Sequence, residues 1–211
     1  MMGWFDFTRS PAGTSVETLR IPLFPLNTVL FPGSHLPLKI FEQRYLDMAA
    51  ACMKDGSPFG ICLIDKGSEV GAAALPHLVG TLASIAHWEM EQLGILMITA
   101  LGGRRFRIID TEVGASQLLE ATVELLPETG PTPLPQERER LLPLLQRIVK
   151  DLGSERMPEP HRYSEAEWVG YRITEVLPIQ NLAKQKLLEL DDPLARLEVL
   201  EKYLDQRKLL D

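Results

Sequence analysis

The hydrophobic period of this chain changes once, and the change divides it. Up to Leu126, apolar residues come in short runs or alternate with polar ones, the pattern of strands; from Gln136 onward they recur every three to four residues, the pattern of helices. Between them lies PETGPTPLP, with four prolines in nine residues. Proline fixes φ and lacks an amide donor, so neither a ladder nor a helix interior runs through such a stretch. The expected organisation is an N-terminal tail over 1–18, a β domain over 19–126, a proline-rich linker over 127–135 and a helical half over 136–211.

Within the β part, Pro22, Pro25, Pro32 and Pro37 cannot all occupy central strands. Short strands are therefore expected at Leu19–Phe24, Thr28–Phe31 and His35–Ile40, with FPGS as a turn. Phe41 opens a helix whose face carries Phe41, Tyr45, Met48, Ala49, Cys52 and Met53 and which ends at Gly56. FGICLID reads as a buried strand. Longer strands follow at Leu78–Glu91, Leu93–Leu101 and Arg104–Val113, with hairpin turns at QLG and at Gly102–Gly103. LLEATVELL alternates, with Ala121, Val123 and Leu125 on one face. Many short strands joined by hairpins leave edges that closure would remove. The fold class is α+β: a mostly antiparallel, closed or nearly closed β-barrel with one embedded helix, followed by a helical bundle.

In the helical half, Pro143 kinks the first helix or marks its real start. Ser164 and Glu167 form a capping box ahead of a helix reaching Leu177. A further helix carries Leu182, Leu187, Leu188 and Leu190. Asp192 and Pro193 supply an N-cap and a first-turn proline for the last one.

Composition excludes several functions. Twenty-two basic residues stand against 29 acidic ones, net -7, the wrong balance for a nucleic-acid or anionic-membrane surface. No apolar run approaches the roughly 20 residues that span a bilayer. Cys52 and Cys62 lie in apolar runs without metal-ligand spacing, which fits a reducing cytoplasm and no disulfide framework. The N-terminal tail has no secretory h-region; its Trp4, Phe5 and Phe7 are suited to docking on the body.

Chemistry-bearing motifs are sparse. No phosphate-binding Gly-x-x-x-x-Gly-Lys loop, Gly-x-Ser-x-Gly elbow or His-Glu-x-x-His helix occurs. His87, Glu89 and Glu91 would share a strand face, either as an acid/base or metal set or as a solvated surface. Arg104, Arg105 and Arg107 form the densest basic cluster; alternation turns Arg105 and Arg107 outward, as an anion clamp or as partners for Glu120 and Glu124. On the helix over 164–177, Val169, Ile173, Val176 and Leu177 form the core stripe. Trp168, Tyr171, Arg172 and Glu175 fall on the opposite side, either as a partner-binding patch or as a face sandwiched against the β domain with Trp168 packed on it. The candidate binding residues are thus Trp168, Tyr171 and Arg172, with Arg105 and Arg107 as a polar rim. No catalytic residue, metal ligand or cofactor is expected.

In this order, the blocks IPLFPLNTVLFPGSHLPLKIFEQRY, FGICLI, VGTLASI and GGRRFRI resemble the N-terminal domain of Lon, the ATP-dependent protease La. The IFEQRY form is similar to stand-alone bacterial Lon-domain proteins, and AKQKLLELDDPLARLEVLEKYL resembles the helical segment that follows in that family. The resemblance implies a PUA-like β-barrel followed by a helical bundle, from a region that in Lon helps recognise protein substrates and supports assembly. It implies that Phe41 and Tyr45 plug the barrel. It also implies that the chain stops where Lon's ATPase would begin, without Walker loop or Ser-Lys peptidase segment. The expected function is then a non-catalytic module for unfolded or partly folded proteins and peptides, working beside a protease or chaperone component. A hydrolase centred near His87 and an RNA-binding PUA-like protein are the other readings.

Overall fold

The structure, a computed structural model, describes residues 17–128 and 130–210. Trp4, Phe5, Phe7 and the rest of the expected tail up to Val16 lie outside the described residues. The elements run β1 (Thr18–Leu26), β2 (His35–Ile40), α1 (Gln43–Asp55), β3 (Phe59–Lys66), β4 (Leu75–Pro76), β5 (Val79–Gln92), β6 (Ile95–Val113) and β7 (Leu119–Leu125). A 3-10 turn (Gln136–Leu141) leads into α2 (Leu142–Arg156), α3 (Ala166–Val176), α4 (Asn181–Glu189) and α5 (Pro193–Gln206). Among the described residues no helix is long and apolar enough to cross a membrane.

The sheet is mostly antiparallel. Its neighbours run β1-β7-β6-β5-β3, and β3 returns to β1 in parallel through Leu23↔Gly60 to Leu26↔Leu63. Strand β2 lies beside β6. The alternation of β7 is seen as read: Leu119, Ala121, Val123 and Leu125 are buried, and Val123 packs with Phe106 and Ile108. Helix α1 covers the other part of the β core, where Tyr45 stacks on Phe24 at 4.1 Å and Met48, Ala49 and Cys52 meet Ile98 and Ala100. Gly56 closes α1 at φ 65, its amide bonding to Cys52 O. In the helical half, Pro143 does mark the true start of α2, and Asp192 Oδ1 accepts the Leu194 amide at 2.8 Å ahead of α5.

Four expectations fail here, each for a physical reason. Thr28–Phe31 buries Val29, Leu30 and Phe31 but makes no ladder; it is a loop whose Leu30 carbonyl takes the Thr81 hydroxyl at 2.6 Å. Gly102–Gly103 is not a turn, because β6 runs through it unbroken for 19 residues. Phe41 does not plug the core: α1 begins two residues later, and Phe41 is 54% exposed while Tyr45 is 5%. The capping box does not form, since Glu165 is the N-cap without a side-chain bond. The chain there is held by main-chain bonds instead, Leu134 N to Ser164 O and Ala166 N to Thr132 O, both 2.8 Å.

The two halves meet through a small apolar contact and a set of buried polar ties. Phe31, Val79 and Leu126 of the β part pack with Tyr171 and Leu188. Gln185 Nε2 donates to Val79 O at 2.9 Å. Arg105 Nη1 donates to Leu188 O at 2.8 Å and Leu190 O at 3.2 Å, and Nη2 to Asp191 at 2.9 Å. Arg172 donates to Pro32 O (2.9 Å), Gly33 O (3.0 Å) and Ser34 Oγ (2.5 Å), with Glu175 at 3.4 Å. The buried guanidinium groups of Arg105 and Arg172 are tolerated because carbonyls, a hydroxyl and carboxylates engage their terminal nitrogens.

Candidate functional site

Strand β6 changes partner midway. Its last pair with β2 is Leu101↔His35 and its first with β7 is Phe106↔Leu125. In the interval the β5–β6 register slips between Thr81 and Ala83, so β6 carries a bulge. Main-chain bonds tie the crossing down: Gly33 N to Gly102 O (2.8 Å), Gly102 N to Ser34 O (2.9 Å) and Leu126 N to Arg105 O (2.9 Å). The approach is close enough that a Cβ on Gly102 would lie 2.2 Å from Phe31 O.

Over this opening lies α3, and between them is a groove of about 620 Å³. One wall is the β6 bulge with Pro127, Glu128 and Pro131; the other is Arg162, Glu165 and the α3 residues Glu167, Trp168 and Tyr171. A second cavity, between β1, β2 and the loop at Glu69, holds only about 170 Å³. The larger groove has room for a stretch of polypeptide with its side chains.

Trp168 is the aromatic surface of this groove. It is half-buried, held edge-to-face on Tyr163 at 5.2 Å and 82°, with the His161 ring at 5.9 Å. Tyr171 lies deeper, 2% exposed, under the Arg196 guanidinium at 4.1 Å. Arg196 is itself fully buried and bonds to Tyr171 Oη, Leu187 O and Leu190 O. The rim carries both signs. Arg104 pairs with Glu17 at 2.8 Å, and Arg162 sits 3.5 Å from Glu165. Burial holds the Glu167 carboxyl above its usual range, against the pull of Arg196 and Arg105.

That shift carries a sign. A carboxyl whose pKa is raised on folding adds stability below its unfolded pKa and loses that contribution as pH rises through the folded value. Glu167→Gln, which mimics the protonated form, is expected to raise the urea midpoint at pH 7. The gain should shrink as pH falls into the carboxylate range, where native Glu167 is already protonated. A pH-independent difference would show that packing, not charge, sets the effect.

Of the expected binding residues, the structure brings Trp168, Tyr171 and Arg105 to one groove and leaves Arg172 and Arg107 out of it. Of the two alternatives for this face, Tyr171 and Arg172 take the sandwiched one and not the exposed patch, at 2% and 3% exposure. Helix α3 is packed on two sides, by Leu145 and Leu197 on its core stripe and by the Phe31–Ser34 loop on the other. Arg105 is corrected: it does point away from Phe106, but the α4–α5 connection covers it to 6% exposure. Arg107 remains exposed beside Glu124 in the register. His87 and Glu89 lie on the exposed arm of β5, and no group of three His, Cys, Asp or Glu among the described residues is placed to hold a metal ion. Sequence reading missed the groove-forming roles of Gly102, Glu167 and Arg162. The GGRR block marked the place, but as a turn.

Known proteins align with this architecture. The family model described as the ATP-dependent protease La (LON) substrate-binding domain matches residues 20–206. The Lon N-terminal domain protein from Xanthomonas campestris superposes with a TM-score of 0.74 at 33% identity, over 88% of this chain and 98% of that one. The N-terminal domain of the Mycobacterium avium complex Lon protease has the same fold, at a TM-score of 0.61 and 19% identity over 89% and 98%. Among curated relatives, Lon protease 1 of Bdellovibrio bacteriovorus is 30% identical over 63% of this chain, and cereblon of Xenopus tropicalis 24% identical over 74%. The chain spans only 17% and 36% of the length of those two proteins.

Proposed function

Because the chain belongs to the ATP-dependent protease La (LON) substrate-binding domain family, we propose that the groove between the β6 bulge and α3 holds extended segments of other proteins, without cleaving them. The observation that carries this reading is the half-buried Trp168 set in a groove of about 620 Å³ with charges of both signs at its rim. An aromatic anchor surrounded by polar groups is the composition of protein-recognition hot spots. Clients are unfolded or partly folded chains, which offer the apolar side chains that folded proteins hide. A role in recognition beside a protease or chaperone component is part of this reading, in keeping with the substrate-binding description of the family. On this reading, the ring of strand pairings is a PUA-like barrel (19–126) joined by the 127–135 linker to a helical bundle. The compartment is the cytoplasm, in keeping with free, buried Cys52 and Cys62.

The test is a titration with a reduced, carboxymethylated protein that stays unfolded. Affinity is expected on the order of micromolar, because ordering a flexible client offsets much of the contact energy. Trp168→Ala should weaken it about 30-fold, the loss of roughly 2 kcal/mol typical of a hot-spot aromatic. A matched far-UV spectrum and melting midpoint would show the variant folded. Unchanged affinity in a folded variant would remove the groove as the site.

A further inference from the structure

The layer formed by β2, β6 and β5 has two outer edges. Strand β2 pairs only with β6, and its edge carries Pro37 and Lys39, residue types that blunt an edge against further pairing. Strand β5 pairs with β3 only from Thr81 to Ala83. Among the described residues, no strand pairs the outer side of Ser84–Gln92, and no turn or loop main chain bonds to it. That stretch, SIAHWEMEQ, contains neither proline nor lysine. His87, Trp88, Glu89 and Met90 are all exposed. Their register with β6 sorts them by face. Trp88 and Met90 lie opposite Ile98 and Leu96, on the side packed under α1, and His87 and Glu89 lie opposite Thr99 and Met97 on the other. Trp88 and Met90 are 53% and 58% exposed, although Ile98 and Leu96 beside them are buried.

We infer that this edge pairs antiparallel with the same edge of a second copy of the chain, across a two-fold axis at Trp88. Two independent observations select that register. The open edge is bounded by β3 at Ala83 and by the hairpin after Gln92, and Trp88 is the midpoint of Ser84–Gln92. A pair centred there also sets His87 opposite Glu89 of the second copy, and Glu89 opposite its His87, so that a carboxylate faces an imidazole on both sides of the axis. Centring on Glu89 instead would set two carboxylates against each other. On the opposite face the two Trp88 rings become cross-strand neighbours, and Met90 lies diagonal to Trp88 of the second copy. The exposed indole and thioether of each copy are then covered by the other. The regular strip is short, since the register of β5 with β6 slips on either side of His87–Met90. Association therefore belongs at the weak end of specific interfaces, with a Kd on the order of 10 μM. None of His87, Trp88, Glu89 and Met90 lines the groove, which takes Leu101 to Arg105 from β6. A dimer leaves both grooves open, and one extended client then engages two of them with the gain of a linked pair. That consequence rests on the groove being a binding site; the pairing itself does not.

Sedimentation velocity of the full chain, at concentrations on either side of that Kd and without any client, tests the pairing. The unaltered chain is expected to pass from monomer to dimer. His87→Glu opposes a carboxylate to Glu89 of the second copy twice per interface and should weaken self-association about 10-fold. Glu89→Lys, which sets a cation against His87 of the second copy and places a lysine on the edge, should do the same. Mixed together, the two variants are expected to recover the affinity of the unaltered chain to within about 3-fold, because Glu at 87 then faces Lys at 89 and the native Glu89 faces the native His87. Both positions are exposed, and matched melting midpoints would show the variants folded. A chain that stays monomeric throughout overturns the inference. A dimer indifferent to His87→Glu is held by another face, and weakened variants that do not recover on mixing exclude the register centred on Trp88; either result overturns it as well.

Discussion

Arg172→Met is expected to lower the stability of the fold by about 3 kcal/mol, because a methionine fills the same space but returns none of the guanidinium's bonds. Arg172 is 3% exposed, and burial pulls its pKa below the usual arginine value while Glu175 holds it up. Its two terminal nitrogens gather Pro32 O, Gly33 O and Ser34 Oγ from the β part onto a helix about 140 residues away in sequence. Removing it leaves the buried Ser34 hydroxyl short of a donor and Glu175 without its cation, the two circumstances that make polar truncations costly. For a chain of this size the melting midpoint should fall by about 6–12 °C. In urea the midpoint should move with an unchanged slope. Glu175→Gln should cost far less, since the carbonyls of the 32–34 loop keep their donors. A loss below about 1 kcal/mol for Arg172→Met would mean that Phe31, Tyr171 and Leu188 hold the halves together without the arginine.

No periodicity argument finds that arginine. On α3, hydrophobic spacing identifies the stripe at Val169 and Ile173 correctly, and both are fully buried. It leaves the opposite side open between an exposed patch and a face sandwiched against the β domain, because arginines and tyrosines are most often at least partly exposed. A helix packed on two sides by different partners has no signature within its own residues. The same holds for Arg105 and Arg107. Their parity on β6 is right, yet one is capped by Asp191 and two α4-end carbonyls while the other is open. What covers a strand face is a property of the tertiary arrangement, not of the strand.

The local elements were legible where one signal decided them. Leu119–Leu125 alternated, Asp192 and Pro193 capped a helix, and Gly56 ended one; all three are seen. Misreadings came where one signal serves two structures. Val29, Leu30 and Phe31 are as buried as strand residues, but the loop that holds them bonds to side chains and turns instead of a ladder. Ser164 has the spacing of a cap, while its carbonyl is engaged by Leu134 and its neighbour Glu165 bridges Pro133. Phe41 continued the face of Tyr45 at helical spacing, but the helix had not yet begun. The Trp168 site was half legible: an aromatic off the core stripe was visible, the β6 bulge opposite it was not.

Gly102→Ala tests that bulge. A glycine pair inside a strand run reads equally as a turn or as a place where backbones approach closely. Here the reason is space, since a Cβ on Gly102 would lie 2.2 Å from Phe31 O and 3.1 Å from its carbonyl carbon. These are backbone atoms with no side-chain rotation to relieve them. Phe31 is fully buried against Tyr171, so the loop cannot retreat without disturbing the contact between the halves. Moving β6 instead would stretch the bonds Gly33 N to Gly102 O and Gly102 N to Ser34 O. Overpacking costs typically about 1–3 kcal/mol, and an immobile backbone clash with two hydrogen bonds at stake belongs at or above the top of that range. Gly103→Ala is the control. Its Cβ would meet nothing closer than Leu82 O at 3.6 Å, an ordinary contact, and should change stability by less than about 1 kcal/mol. Both variants can be placed on one urea series. If Gly102→Ala and Gly103→Ala unfold together near the unaltered chain, β6 does not pass this closely under Phe31. The groove wall at the partner exchange would then have a different shape, and the Trp168 site would have to be rebuilt from it.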